Sequence, residues 1–199
     1  MFDIASVTYL HVEQTTRCNA SCPGCLRNNN GYGIANGLEI TDLSVDRLAQ
    51  VLDQMPKLQL IEFSGAYGDC ITSTQFMQSI DVVLDKKIPR VQIRTNGGLK
   101  TVKWWSELGK KLSVVDHHIT FALDGLADTH HIYRQGVNYD KVIENATAFI
   151  TAGGRAHWQF IPFAHNEHQI IEAKKLSQRL GFEKFILRKD VKYRGQGRH

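Results

Sequence analysis

Six short runs rich in β-branched and aromatic residues recur along this chain, each separated from the next by a stretch of helical spacing, and that alternation limits the folds open to it. The runs are VTYLHVEQ (7–14), LQLIEFS (58–64), RVQIRT (90–95), DHHITFA (116–122), HWQFIP (157–162) and KFILR (184–188). Between them, 44–54, 72–86, 101–111, 138–152 and 166–181 place apolar residues at helical intervals. Ser44 offers an N-cap for the first helix, Asn138 or Asp140 for the fourth, and Gly181 a stop for the fifth. Repeated βα units joined by right-handed crossovers build a parallel sheet, and six of them curl into an arc, since closure takes eight. The expected fold is therefore α/β, a partial (β/α)6 TIM-like barrel with an open side. Chemistry in such sheets sits on the loops after the strands' carboxyl ends.

With 199 residues, 42% of them hydrophobic, the chain is expected to form one core domain over 1–188. The formal charge of +4 resides in the last twelve residues, where Arg188, Lys189, Lys192, Arg194 and Arg198 face one Asp190. Residues 189–199 thus read as a basic tail, a solvated terminus in preference to a nucleic-acid contact. No run of 18 apolar residues occurs and the start lacks the pattern of a signal peptide, so the expectation is a cytoplasmic protein without a membrane span. The one long irregular stretch is 26–41, LRNNNGYGIANGLEIT, rich in Asn and Gly and expected to be mobile.

Three of the four cysteines fall within eight residues, directly after the first run, as R17-C-N-A-S-C-P-G-C25. In a chain expected to stay reduced, such clustering favours metal over disulfides. Thiolates bind soft iron well, and one loop presenting three sulfurs leaves one iron of a four-iron cubane open to a small chelating molecule. A structural zinc site is the alternative; it wants four ligands, and Cys70 is the only other cysteine.

A C-x3-C-x2-C motif following a first strand, with six βα-type units behind it, resembles the radical S-adenosylmethionine (radical SAM) superfamily. The resemblance spans nearly the whole chain. It implies that Cys18, Cys22 and Cys25 ligate a [4Fe-4S] cluster whose fourth iron takes the methionyl amine and carboxylate of S-adenosylmethionine. It further implies reductive cleavage to a 5′-deoxyadenosyl radical that abstracts hydrogen from substrate, with a reductant such as flavodoxin or ferredoxin.

The later landmarks follow in order. F63-S-G-A-Y-G-D69 resembles the family's glycine-rich stretch, implying contacts through Ser64, Gly65 and Ala66, although Ala66 stands where a second glycine is usual and Tyr67 where an acid is common. T95-N-G-G98 offers Asn96 to a ribose or carboxylate. A122-L-D-G125 offers Asp124, with Ala122 in place of a serine. Arg134, in H130-H-I-Y-R-Q-G136, suits the methionyl carboxylate as a guanidinium fork. F160-I-P-F-A-H-N-E-H168 offers Ile161 and Pro162 to the adenine, and Gly24, where an aromatic residue is common, offers its carbonyl.

Cys70, next to Asp69, is placed by its loop on the face of the cluster, as a candidate hydrogen donor or second metal ligand; the alternative is an inert buried thiol. The nine histidines read as surface or core polar groups. The stretches LDGLADTHHIYRQG and FIPFAHNEHQIIEAKKLSQRLGF resemble peptide- and protein-modifying members, the SPASM/twitch subgroup, which usually add a cysteine-rich C-terminal domain. No cysteine follows Cys70, so the expectation is a core without that domain, its open side available to a peptide or other macromolecule or to a covering partner, with an oligomer left open. The leading reading is a minimal radical SAM enzyme; a glycyl-radical activase and an iron–sulfur or zinc binding module without turnover are the alternatives.

Overall fold

The structure is a computed structural model and describes residues 3–188; the basic tail expected at 189–199 lies outside the described residues. Six strands form one sheet in the order β1-β2-β3-β4-β5-β6, every neighbouring pair parallel. They are β1 (Tyr9–Val12), β2 (Leu60–Phe63), β3 (Arg90–Thr95), β4 (Asp116–Ala122), β5 (Ala156–Phe160) and β6 (Lys184–Leu187). β1 and β6 do not pair with each other, so the arc stays open as expected.

The helices are α1 (Val45–Asp53), α2 (Phe76–Asp85), α3 (Val102–Leu112), α4 (His130–Tyr133), α5 (Tyr139–Thr151) and α6 (Ile170–Arg179). Local chemistry sets their ends. Ser44, Thr101 and Asn138 accept from the N–H three residues on, and Gly181, at φ +85°, takes the left-handed turn that ends α6. Helix α2 begins later than its apolar spacing predicts, because Cys70–Thr72 forms a separate 3-10 turn capped by Asp69. Strand β5 stops at Phe160 because the next N–H, that of Ile161, donates to Asp124 at 2.7 Å instead of to the sheet.

Side-chain alternation divides the sheet into two faces. One, carrying Ile61, Phe63, Ile93, Phe121 and Trp158, packs without exposed surface against Trp105, Leu108, Val142 and Phe149 of the helical layer. Each such large side chain contributes about 1.5–3 kcal/mol. The other face is polar: Tyr9 donates to Glu62 at 2.7 Å, Arg94 pairs with the same carboxylate, and His118 stacks on His157 at 4.2 Å between ring centres. At the strands' amino ends Arg90, Asp116, Arg155 and Glu183 form a half-exposed ion network, remote from the loops that carry the cysteines.

The 26–41 stretch is better anchored than its composition predicts. Residues Leu26–Gly31 form a 3-10 helix, buried Arg27 donates to the Thr16 carbonyl at 3.0 Å, and Thr15 bridges to Asp42. No helix among the described residues is long and apolar enough to cross a membrane.

Candidate active site

The three clustered cysteines occupy the loop leaving β1, and neighbouring loops hold that loop at several points. Asp69 N–H donates to the Arg17 carbonyl at 2.8 Å and the Thr72 hydroxyl to the same oxygen at 2.8 Å. Ser21 N–H donates to Gln135 at 2.8 Å, and the Asn28 carboxamide reaches the Ala20 and Cys22 carbonyls at 3.4 and 3.3 Å. Glu13 accepts from the N–H groups of Tyr67 and Gly68, fixing the turn after β2.

These loops enclose a cavity of about 270 Å³ lined by Cys18, Cys22 and Cys25 together with Ser64, Gly65, Ala66, Asn96 and Arg134. Five of the residues expected at the ligand site from the sequence thus share one wall with the thiols. Gly24, Ile161 and Pro162 do not line it, and neither does Asp124. Asp124 is fully buried; one oxygen accepts from Ile161 N–H at 2.7 Å and the other from Arg134 Nε at 2.6 Å. Its place is behind Arg134, not against a ligand. The Ile161 carbonyl accepts from Asn166 at 3.1 Å, so both backbone groups of that residue are engaged.

Gly65 serves the turn itself: a Cβ there would meet the Gly68 carbonyl oxygen at 2.5 Å. Cys70 departs from its expected place. Its 3-10 turn points the thiol into the core, 2% exposed and 3.7 Å from the Arg94 carbonyl oxygen, away from the cavity, and burial pushes its pKa well up. An inert buried thiol is what this geometry describes.

Several lining residues escaped the sequence reading: Arg27, Asn28, Arg94, Thr120, Gln159 and Arg188. Alternation along β3, β4 and β5 was the available signal, because Arg94, Thr120 and Gln159 share the polar face of the sheet. Glu13 and the Asp69 carboxylate were also missed as braces. Asp69 accepts from Thr95 Oγ1 at 2.8 Å and Asn96 N–H at 2.7 Å, tying the loop after β2 to that after β3; burial raises its pKa against these donors.

All four cysteines are free. Burial pushes the Cys18 thiol up to about 12 and raises that of Cys22, as expected for sulfurs carrying protons until a metal displaces them. The surroundings suit thiolates: Ala20 N–H points at Cys18 Sγ from 3.3 Å, the Asn96 amide from 3.7 Å, and Arg134 Nη1 at Cys22 Sγ from 3.8 Å. Among the described residues no three Cys, His, Asp or Glu side chains converge as one metal ion requires. Three thiols spaced around one cavity fit a cubane, which binds each sulfur to a different iron.

Among curated proteins no sequence matches. Solved structures share the fold. Streptococcus suis SuiB bound to precursor peptide SuiA superposes with a TM-score of 0.71 at 16% identity, covering 92% of this chain and 39% of that one. The anSMEcpe enzyme with bound AdoMet and Cp18Cys peptide gives 0.65 at 17%, covering 96% and 54%. Methylornithine synthase (PylB) gives 0.63 at 11%, covering 91% and 52%. The chain spans about two fifths to one half of these proteins' lengths. Residues 12–176 match the Radical SAM superfamily, a span that holds all three clustered cysteines and the four strands β2 to β5, and the chain belongs to that superfamily of enzymes, whose cofactors are a [4Fe-4S] cluster and S-adenosylmethionine.

Proposed function

We propose that Cys18, Cys22 and Cys25 hold the cluster and that the enzyme acts on a peptide or other macromolecule reaching the open side of the sheet. The observation that carries this reading is the shared cavity: the three thiols, the Ser64–Ala66 turn, Asn96 and Arg134 all face about 270 Å³ of space. When bound, the cluster supplies the electron for reductive cleavage of S-adenosylmethionine.

The chain's own residues bind and orient. Ser64, Gly65 and Ala66 offer backbone carbonyls to the methionyl ammonium. Arg134 stays cationic: burial opposes its charge, but Asp124, with Cys22 and Tyr133 beside it, raises its pKa on balance, leaving a guanidinium suited to the methionyl carboxylate. Asn96, whose Oδ1 accepts from Gly98 N–H at 2.8 Å, presents an oriented carboxamide. Asp124 acts through Arg134, whose Nε it holds at 2.6 Å.

A peptide substrate is supported by SuiB and anSMEcpe, each solved with a peptide. Four free cysteines accord with a reducing, cytoplasmic setting and a flavodoxin- or ferredoxin-type reductant. The test is anaerobic reconstitution with iron and sulfide, reduction with dithionite, and measurement of 5′-deoxyadenosine from S-adenosylmethionine. Product that disappears in Cys22→Ala is expected; no product from fully loaded protein overturns the reading.

A further inference from the structure

The Asp124–Arg134 pair reaches beyond the cavity wall to one cluster ligand. Arg134 Nη1 lies 3.8 Å from Cys22 Sγ, and its Nε is held by Asp124 at 2.6 Å, leaving the side chain only 15% exposed. Asp124 is itself immobilised by Ile161 N–H at 2.7 Å. The guanidinium also lies over the Tyr133 ring, 5.3 Å from its centre. The backbone on either side fixes the spacing. Arg134 N–H donates to His130 at 2.9 Å, closing α4, and Gln135 accepts from Ser21 N–H at 2.8 Å on the cysteine loop. At Gly136, φ +82°, a Cβ would come within 2.8 Å of the Asn19 carbonyl oxygen, so the two loops touch as backbone.

We infer that Arg134 raises the reduction potential of the cluster, acting at the Cys22 sulfur, with Asp124 as the residue that positions it. This rests on the cluster of the proposed function but is separate from any contact Arg134 makes to S-adenosylmethionine. Reduction adds one negative charge to the cluster. A fixed cation beside a ligand sulfur in a poorly solvated wall stabilises that charge, and hydrogen bonds to ligand sulfurs act in the same direction. Guanidinium keeps its charge at any working pH, so the effect does not switch off. Asp124 offsets part of the field, but it holds Nε while Nη1 faces Cys22, so it also aims the fork.

The test is a redox titration of the reconstituted full chain without S-adenosylmethionine, the reduced cluster read by electron paramagnetic resonance and loading by iron content. At the wild-type midpoint, Arg134→Gln is expected to lower the ratio of reduced to oxidised cluster about tenfold, a shift of about 59 mV to more negative potential for one electron. Arg134→Lys, which keeps the charge but loses the fork, is expected to recover at least half of the shift. Equal midpoints for wild type and Arg134→Gln overturn the inference, including where affinity for S-adenosylmethionine falls. If Arg134→Gln loads no iron, Arg134→Lys and Asp124→Asn decide: a midpoint displaced to more negative potential in either supports the inference, and midpoints at or above the wild-type value in both overturn it. Failure of the wild-type chain to form a cluster would instead refute the proposed function.

Discussion

Replacing Gly68 by alanine should damage the cysteine loop from a position that touches no cysteine. A Cβ there would lie 1.8 Å from the Thr15 carbonyl oxygen and 3.0 Å from that of Arg17. Real Cβ contacts essentially never fall under 3.0 Å, so one backbone segment must retreat by the difference, 1.2 Å. Both sides of the clash are main chain, so no rotamer relieves it. Crowding of this kind costs about 1–3 kcal/mol. The retreat also strains the 3.0 Å bond from Gly68 N–H to Glu13 and the 2.8 Å bond from Asp69 N–H to Arg17. Each contributes about 1 kcal/mol, giving a total near 3–5 kcal/mol. Urea unfolding of the reduced protein measures this, and iron content after reconstitution reports the loop. Gly33→Ala is the control: at φ +104° with no atom within 4 Å, it should cost only backbone strain, about 1–2 kcal/mol, with normal iron loading. If Gly68→Ala is as stable as Gly33→Ala and binds as much iron, the claim that this glycine seats the cysteine loop is wrong.

Other outcomes follow from buried groups. Cys70→Ala should keep full iron loading and lose about 1 kcal/mol of stability in urea unfolding, since its thiol fills core space. Asp69→Asn, which turns an amide toward the donors at Thr95 and Asn96, should lower stability by about 2–3 kcal/mol in the same assay. Both ring nitrogens of His130 are buried without a partner, and burial, aided by Arg134 and His131, pushes its pKa down to about 3. The unfolded chain takes up a proton there below its ordinary value near 6.5 while the folded chain does not, so stability should fall as pH drops from about 6.5 toward 3. The slope from this residue approaches about 1.4 kcal/mol per pH unit, and His130→Leu should flatten it, as unfolding midpoints at several pH values would show.

The sheet was legible because its helix-facing strand positions must be apolar, and runs such as LQLIEFS and RVQIRT carry that requirement in residue type. The motif was legible because its three cysteines are close in sequence. Bracing was not. Asp69 and Asp124 look like ordinary polar residues of post-strand turns; only the fold brings them to the N–H groups of Asn96 and Ile161, one strand away. Arg27 likewise reads as a loop cation until Thr16 is seen to accept from it. Cys70 shows the converse. Its place after β2 predicted a cavity position, but a three-residue 3-10 turn, too short to register in apolar spacing, rotates it inward. Helix α4, four residues long, escaped for the same reason.

The central claim is that three thiols hold a four-iron cluster with one iron free for S-adenosylmethionine. Electron paramagnetic resonance of the reduced, reconstituted protein tests it directly, recorded before and after adding the cofactor. The account predicts a [4Fe-4S] signal that changes when S-adenosylmethionine is added and is absent from the Cys18→Ala, Cys22→Ala and Cys25→Ala variants. A fully loaded cluster whose spectrum ignores the cofactor, or tight binding of one zinc ion in place of iron, would contradict it.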